Sequence, residues 1–187
     1  KSFREVALQT ALPLLQLIPA TPELVGAEIE LVSVLAREYQ LQNALKVIRK
    51  KYDLILIDCP PSLSLLTVIA LVGSDSLLVP LQTEFFALEG VTQLMKTIER
   101  IKMNLNSDLK IKGILLTMYD KRNKLSSQVE KEARDYFKEK VYSTVIPRNV
   151  RLSEAPSHGV PVLIYDKLCP GSKSYFNFTD EFLNKQE

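Results

Sequence analysis

Glycine is scarce in this sequence, histidine occurs once and cysteine twice, and each shortage removes a class of function. The six glycines, Gly26, Gly73, Gly90, Gly113, Gly159 and Gly171, include no pair spaced as G-x-x-x-x-G-K-[ST]. That pattern builds the loop whose amides and lysine hold a nucleotide's phosphates, so the sequence carries no such cradle. Gly171-Ser172-Lys173-Ser174 resembles the end of the pattern, but no glycine stands five positions earlier and no strand-to-helix context surrounds it. Cys59 and Cys169, 110 positions apart, give neither a metal-ligand spacing nor a disulfide framework. A reducing cytoplasm is the expected setting. His158 has no serine or cysteine partner that the sequence identifies, so a catalytic triad is not expected and the residue reads as structural. No apolar run approaches the roughly 18 residues that span a bilayer, and the N-terminus lacks the basic-then-apolar order of a signal peptide. Excess charge is missing too: 24 basic against 22 acidic residues leave a formal +2, so any basic surface must be local.

What is present is ordinary globular material. With 46% hydrophobic and 25% charged residues in 187 positions, the composition suits one core, and residues 1–187 read as a single domain without repeats or linkers. The chain starts at Lys1 rather than Met, so an incomplete product is expected. Apolar spacing alternates between strand-like runs and helical periods, the mark of an α/β fold with a mostly parallel sheet and helices on both faces. Short strands are expected at Leu14–Pro19, Leu54–Ile57, Ser76–Val79, Ile111–Thr117 and Val141–Ile146. Helices are expected after Thr21-Pro22 to about Val32, from Tyr39 to Lys50, from near Ser62, from Leu88 to Leu105, from Leu125 to Phe137, and over Tyr175–Leu183.

The sharpest chemical signal is Ile55-Leu56-Ile57-Asp58-Cys59-Pro60-Pro61-Ser62. An unbroken apolar run predicts a central parallel strand, flanked by the strands ending near Pro80 and Thr117. A carboxylate at its C-terminal end lies where open α/β sheets bind ligands, and hard cations such as Mg²⁺ favour such oxygens. The two prolines stiffen the turn beyond it. An Asp that merely ends a strand is the competing reading. A second polar, proline-braced segment, Pro147 to Gly159, follows the last strand and is expected at the same sheet edge, where loops often carry function. An ordinary surface connection with two solvated arginines is its competing reading.

These residues also carry a resemblance. Gly26 to Leu31, Tyr52 through Leu63, Ala87-Leu88-Glu89-Gly90, Leu115 to Asp120, and Ile146 to Gly159 are similar, in order and spacing, to blocks of the ParA/Soj partition ATPases. The similarity runs from about Leu17 to Asp166. It implies a deviant-Walker P-loop NTPase fold, here the C-terminal two-thirds without the first strand and P-loop, which would fall before Lys1. It implies a family of ATP hydrolases in chromosome or plasmid partitioning that take ATP and Mg²⁺, dimerise on ATP, bind DNA without sequence preference and respond to a ParB-like partner. In that reading Asp58 is the Mg²⁺ carboxylate, acting through water, and Pro60 and Pro61 belong to the switch after it. Met118, Tyr119 and Asp120, with Pro147, Arg148 and Asn149, border the adenine, while Arg122, Arg148 and Arg151 face DNA.

The sequence departs from the family at Tyr165 to Ser172, where a Tyr-Asp-Pro-Lys-Ser-x-Gly-Ala pattern is more usual. The related MinD-type proteins end in a basic amphipathic membrane helix, whereas this tail is acidic and short, so a nucleoid-associated cytoplasmic protein is expected rather than a membrane one. Two alternatives remain open. A non-catalytic DNA-binding or heterodimerising remnant would keep the surface without hydrolysis. An amide ligase or reductase of the same fold finds no support in a cysteine pair or substrate cluster.

Overall fold

A computed structural model describes residues 3–62 and 64–185. The chain divides into two compact units, Lys1–Asp75 with Met103–Ser107, and Ser76–Lys102 with Asp108–Glu187.

In the first unit, the short helix α1 (Phe3–Val6) leads into an antiparallel pair, β1 (Leu8–Gln9) and β2 (Gln16–Leu17), in which Leu8 faces Leu17. The hairpin is closed by side chains: Gln9 Nε2 donates to the Leu12 carbonyl at 2.9 Å and the Thr10 hydroxyl to the Leu15 carbonyl at 2.9 Å. The apolar run Leu14–Pro19 thus supplies two exposed strand residues instead of a buried strand. Helix α2 (Leu24–Glu30) passes into a 3₁₀ turn at Leu31–Ser33, starting two residues after Thr21-Pro22, which form a preceding turn. A further 3₁₀ turn, Arg37–Tyr39, runs into α3 (Gln40–Lys46), and a third covers Arg49–Lys51.

Helix α4 (Leu65–Gly73) buries Thr67, Ile69, Ala70, Leu71 and Val72. Ser64 sits at its N-cap without a side-chain bond, and the Glu28 carboxylate of α2 instead accepts from the Leu66 amide at 3.3 Å. At the other end, Asn106 Nδ2 donates to the carbonyls of Leu71 (3.0 Å), Val72 (3.2 Å) and Ser74 (2.9 Å). Arg49 pairs with Asp75, and Tyr52 with Gln16, in the same unit.

The apolar run Leu54–Ile57 does not form the expected central strand. The segment is extended without assigned pairing, and the sheet contains no partner for it among the described residues. Leu54 and Leu56 are 51% and 78% exposed. A parallel strand needs neighbouring backbone to take its amides and carbonyls, and an apolar run cannot supply that by itself.

The second unit carries the parallel sheet. Strands β3 (Ser76–Gln82), β4 (Lys110–Tyr119) and β5 (Val141–Pro147) lie in the order β3-β4-β5. Between them come α5 (Ala87–Asn104) and α6 (Lys124–Phe137), the latter followed by a 3₁₀ turn at Lys138–Lys140. After β5 follow α7 (Val150–Glu154), a 3₁₀ turn at Ala155–His158, α8 (Val162–Tyr165) and α9 (Pro170–Asn184). The αL backbone of Gly159, φ 67°, closes that 3₁₀ turn at no steric cost.

Alternation along β4 explains its unbroken hydrophobicity. Ile114 and Leu116 pack with Val79, Leu81, Val91, Ala133 and Phe137, joining β3, α5 and α6 on one face. Leu115 packs on the other with Tyr142, Ile146 and, from α7 and α9, Leu152, Phe178 and Phe182. Both faces are covered by helices, the condition under which a parallel strand is apolar on both sides.

Terminal helix α9 docks despite the irregular Tyr165–Ser172 sequence. Buried Cys169 caps it by accepting from the Ser172 amide at 3.4 Å, and the Ser172 hydroxyl donates to the Asp166 carbonyl at 2.6 Å. Its Glu181 carboxylate accepts from two consecutive β5 amides, Ser143 at 2.6 Å and Thr144 at 2.8 Å. Successive strand amides normally point to opposite sides. The register of β5 on β4 shifts here, with Ile114 opposite Val141 but Leu116 opposite Val145, so β5 bulges. Arg134 of α6 holds the same bulge from its carbonyls, with Nη1 donating to Tyr142 at 3.1 Å and Nη2 to Ser143 at 3.4 Å.

Candidate functional site

The C-terminal ends of β3, β4 and β5 lie side by side, because all three strands are parallel. The segment after β4 turns sharply: Met118 has φ 53°, a left-handed backbone that a non-glycine residue adopts at a cost of about 1–2 kcal/mol. Two contacts hold it. The Thr83 amide, just past β3, donates to the Thr117 carbonyl at 3.2 Å, and the Thr83 hydroxyl lies 3.5 Å from the Met118 carbonyl. That hydroxyl is also 3.1 Å from Ser126 Oγ in the first turn of α6, and both residues are 2% exposed.

Beyond Met118, the Tyr119 carbonyl accepts from the Arg148 amide at 2.9 Å. One backbone bond therefore joins the two segments singled out from the sequence, Met118-Tyr119-Asp120 and Pro147-Arg148-Asn149. Tyr119 Oη lies 3.4 Å from Ser127 Oγ. Asn149 caps α7 by accepting from the Arg151 amide at 2.9 Å, as Asn123 caps α6 by accepting from the Leu125 amide at 3.0 Å.

The three arginines share this end of the sheet but differ in what holds them. Arg122 donates to Asp120 through Nε at 3.2 Å and Nη2 at 3.1 Å, with its amide adding a bond at 3.0 Å. Its side chain stays 91% exposed. The Arg122 guanidinium, then its amide, hold the Asp120 carboxyl below the usual carboxylate range, with Arg148 adding to the effect, and the pair raises Arg122 in turn. Arg151 is tied to Glu154 at 2.8 Å and to Asp166 at 3.5 Å, and it lies 6.0 Å above the Tyr165 ring. Glu154, foremost, pushes Arg151 further above its ordinary value. Tyr165 also donates to Glu154 at 3.3 Å and stacks on His158 at 4.8 Å, so His158 has a packing role. Arg148 is exposed, and its guanidinium makes no ion pair among the described residues.

A shallow groove of about 560 Å³ runs beside this cluster, lined by Arg148, Asn149, Arg151, Asp166, Leu168 and Cys169. A smaller hollow of about 270 Å³ sits beyond β3 against the exposed edge-to-face pair Phe85 and Phe86. Thr83 and Ser126 carry no motif and escape a sequence reading. The one available signal is a Thr just past β3.

Asp58, with Pro60 and Pro61 after it, lies in the other unit on the extended segment, and all three are exposed. Among the described residues no group of three or more His, Cys, Asp or Glu gathers to hold a metal. A lone carboxylate nevertheless fits the way Mg²⁺ is usually held, by one or two carboxylates together with waters and substrate phosphates.

Comparisons with known proteins bear on the family and the fold. The AAA domain family matches residues 1–111. The chain is 54% identical over 184 residues to the chromosome partitioning protein ParA of Caulobacter vibrioides, covering 97% of this chain and 69% of that protein. It is 51% identical over 177 residues to the sporulation initiation inhibitor protein Soj of Bacillus subtilis, covering 95% and 70%. The ParA of Myxococcus xanthus, 49% identical, is covered over 65% of its length, so the chain spans about two-thirds of these relatives. Among solved structures, Mycobacterium smegmatis cobyrinic acid a,c-diamide synthase with a bound ATP analogue and magnesium is 33% identical, with a TM-score of 0.78 over 95% of this chain and 65% of that one. The Pyrococcus furiosus cell division ATPase MinD, 21% identical, shares the fold with a TM-score of 0.78, over 98% of this chain and 71% of that one. With its parallel sheet covered on both faces, the chain has a P-loop NTPase fold and belongs to the ParA/Soj family of chromosome-partitioning ATPases.

Proposed function

We propose that this chain is the nucleotide-base and DNA-facing part of a single ParA-like ATPase domain, working in chromosome or plasmid partitioning. The observation that carries the reading is the 2.9 Å bond from the Arg148 amide to the Tyr119 carbonyl. It brings together two segments at the end of a parallel sheet, where α/β folds bind ligands. Met118, Tyr119, Asp120, Pro147, Arg148 and Asn149 border the adenine of ATP. Asp58 holds Mg²⁺ through water, and Pro60 and Pro61 fix the backbone beyond it. Bound Mg²⁺ supplies charge neutralisation at the phosphates. The protein dimerises on ATP, binds DNA without sequence preference and is stimulated by a ParB-like partner. Relatives at about 50% identity favour partitioning over the activity of the diamide synthase at 33%.

A non-catalytic DNA-binding or heterodimerising role is the second reading; these 187 residues contain no glycine-rich cradle. Phosphoryl transfer rests on positioning and charge stabilisation by that cradle, its lysine and the metal. The 187-residue chain is therefore expected to hydrolyse ATP no faster than a protein-free control. Fusion to the phosphate-binding segment of a ParA relative should restore turnover, and Asp58→Ala in the fusion should remove it. Turnover by the unfused chain that disappears in Asp58→Ala would show that these residues contain a cradle of their own.

DNA binding divides the arginines. Among the described residues Arg148 is without an ion pair, Arg122 is exposed beside Asp120, and Arg151 is held by two carboxylates. In the same fusion, Arg122→Ala with Arg148→Ala should weaken binding to unrelated duplexes equally and flatten the log-log salt dependence by about 0.9 for each phosphate no longer neutralised. Arg151→Ala alone should change the salt slope less, because its guanidinium is already engaged. Unaltered affinity and slope in the double variant would take these residues off the DNA surface.

A further inference from the structure

We propose that Thr83 and Ser126, which belong to none of the motif segments, are positioning residues for recognition of a purine base. The inference rests on the reading of Met118–Asp120 and Pro147–Asn149 as the base-binding edge. Three elements converge on the two hydroxyls: the end of β3, the left-handed turn ending β4, and the first turn of α6. Thr83 Oγ1 is 3.1 Å from Ser126 Oγ and 3.5 Å from the Met118 carbonyl, and both side chains are buried. Each hydroxyl brings one proton and two acceptor sites, so the pair satisfies itself only while the Met118 carbonyl stays turned toward Thr83. That contact accompanies the left-handed backbone of Met118, φ 53°, which costs a non-glycine residue about 1–2 kcal/mol. Relaxation of Met118 to ordinary backbone would redirect Tyr119, whose carbonyl receives the Arg148 amide. The hydroxyl pair therefore sets the spacing of the two segments on either side of the base, without touching it. Strain held at a binding edge by buried polar groups is a recurrent means of preorganisation.

The test compares the 187-residue chain with Thr83→Val, Ser126→Ala and the hydroxyl-retaining Thr83→Ser. Amide hydrogen exchange at Arg148 should quicken about tenfold in Thr83→Val and Ser126→Ala and return toward wild type in Thr83→Ser. The Ser143 and Thr144 amides, held by Glu181, should be unaffected. Adenosine, a probe with the base and no phosphate, is then added at millimolar concentration while amide resonances are followed. Wild type and Thr83→Ser should shift at Tyr119 and Arg148, and the other two variants should not. Unchanged Arg148 exchange in both hydroxyl-deleted variants, uniformly faster exchange throughout the sheet, or adenosine shifts that persist in Thr83→Val would each overturn the proposal. A wild-type chain silent to adenosine would instead overturn the base-binding reading beneath it.

Discussion

Gly113→Ala is expected to destabilise the folded chain by about 1–3 kcal/mol, the usual range for forcing extra atoms into a packed core. Gly113 lies in the middle of β4, and a Cβ there would clash with Tyr142 Cε2 and lie 3.0 Å from the Lys140 carbonyl oxygen. Neither neighbour can yield easily. The Tyr142 ring is fully buried, sits edge-on to Phe178 at 5.0 Å and lies 6.5 Å from Phe182, while its hydroxyl donates to the Lys112 carbonyl at 3.4 Å. The Lys140 oxygen is backbone at the entry to β5. At roughly 2–4 °C per kcal/mol for a chain of this size, the loss should appear as a lower thermal midpoint. Adding Tyr142→Leu should recover part of it by vacating the ring. A midpoint within a degree of wild type in Gly113→Ala would mean that β5 moves away freely, contrary to the packing described.

Glu181→Ala should lower stability by a comparable or larger amount, about 2–4 kcal/mol. Each bond from an amide to a charged carboxylate contributes about 1.5–3 kcal/mol, and water reaching the exposed Ser143 recovers some of that. The residue is also a pH marker. Burial pushes the Glu181 carboxyl up, but the Ser143 and Thr144 amides, with Lys185 nearby, more than offset this and leave it below the ordinary glutamate value of 4.5. Because the folded value is depressed, its contribution is fully present above 4.5 and is lost as the pH falls below that into the range of the folded value. The stability difference between wild type and Glu181→Ala, measured by urea denaturation, should hold steady near neutrality and shrink on acidification. Glu181→Gln, which keeps one acceptor oxygen, should fall between the two and show little of the pH trend. A difference that stays constant down to pH 3 would remove Glu181 from the bulge.

The alternating apolar pattern made β3, β4, β5, α5 and α6 legible, since their burial on one or two faces is written in local spacing. The run Leu54–Ile57 looked the same and did not become a strand. Apolarity records a need for cover, whereas a strand also needs partner backbone, which no local pattern encodes. The site divides similarly. Residue blocks singled out Tyr119, Asp120 and Arg148 as candidates, and the topology of three parallel strands accounts for their meeting. Met118 gave no sign of its left-handed turn, because that conformation is imposed by Thr83 and Ser126 from elsewhere in the chain. Arg151 read as solvated or facing DNA, whereas it is held by Glu154 and by Asp166, which comes from beyond α8. The tail read as acidic, short and helical, but that one of its carboxylates satisfies two strand amides is set by the docking of α9 on β5.

Asn106 closes the end of α4 from 32 to 35 positions further along the chain, after β3 and all of α5 have been made. The carboxyl-terminal turn of α4 therefore has a folding order built into it: its last carbonyls must wait on a loop of more than thirty residues, whose closure entropy is met before the bonds form. During synthesis, α4 emerges with a frayed end and is locked only when the chain returns. A fragment cut after Asp75 would lose all three of those bonds at once, so the first unit, although most of it is contiguous, is not a separable folding module.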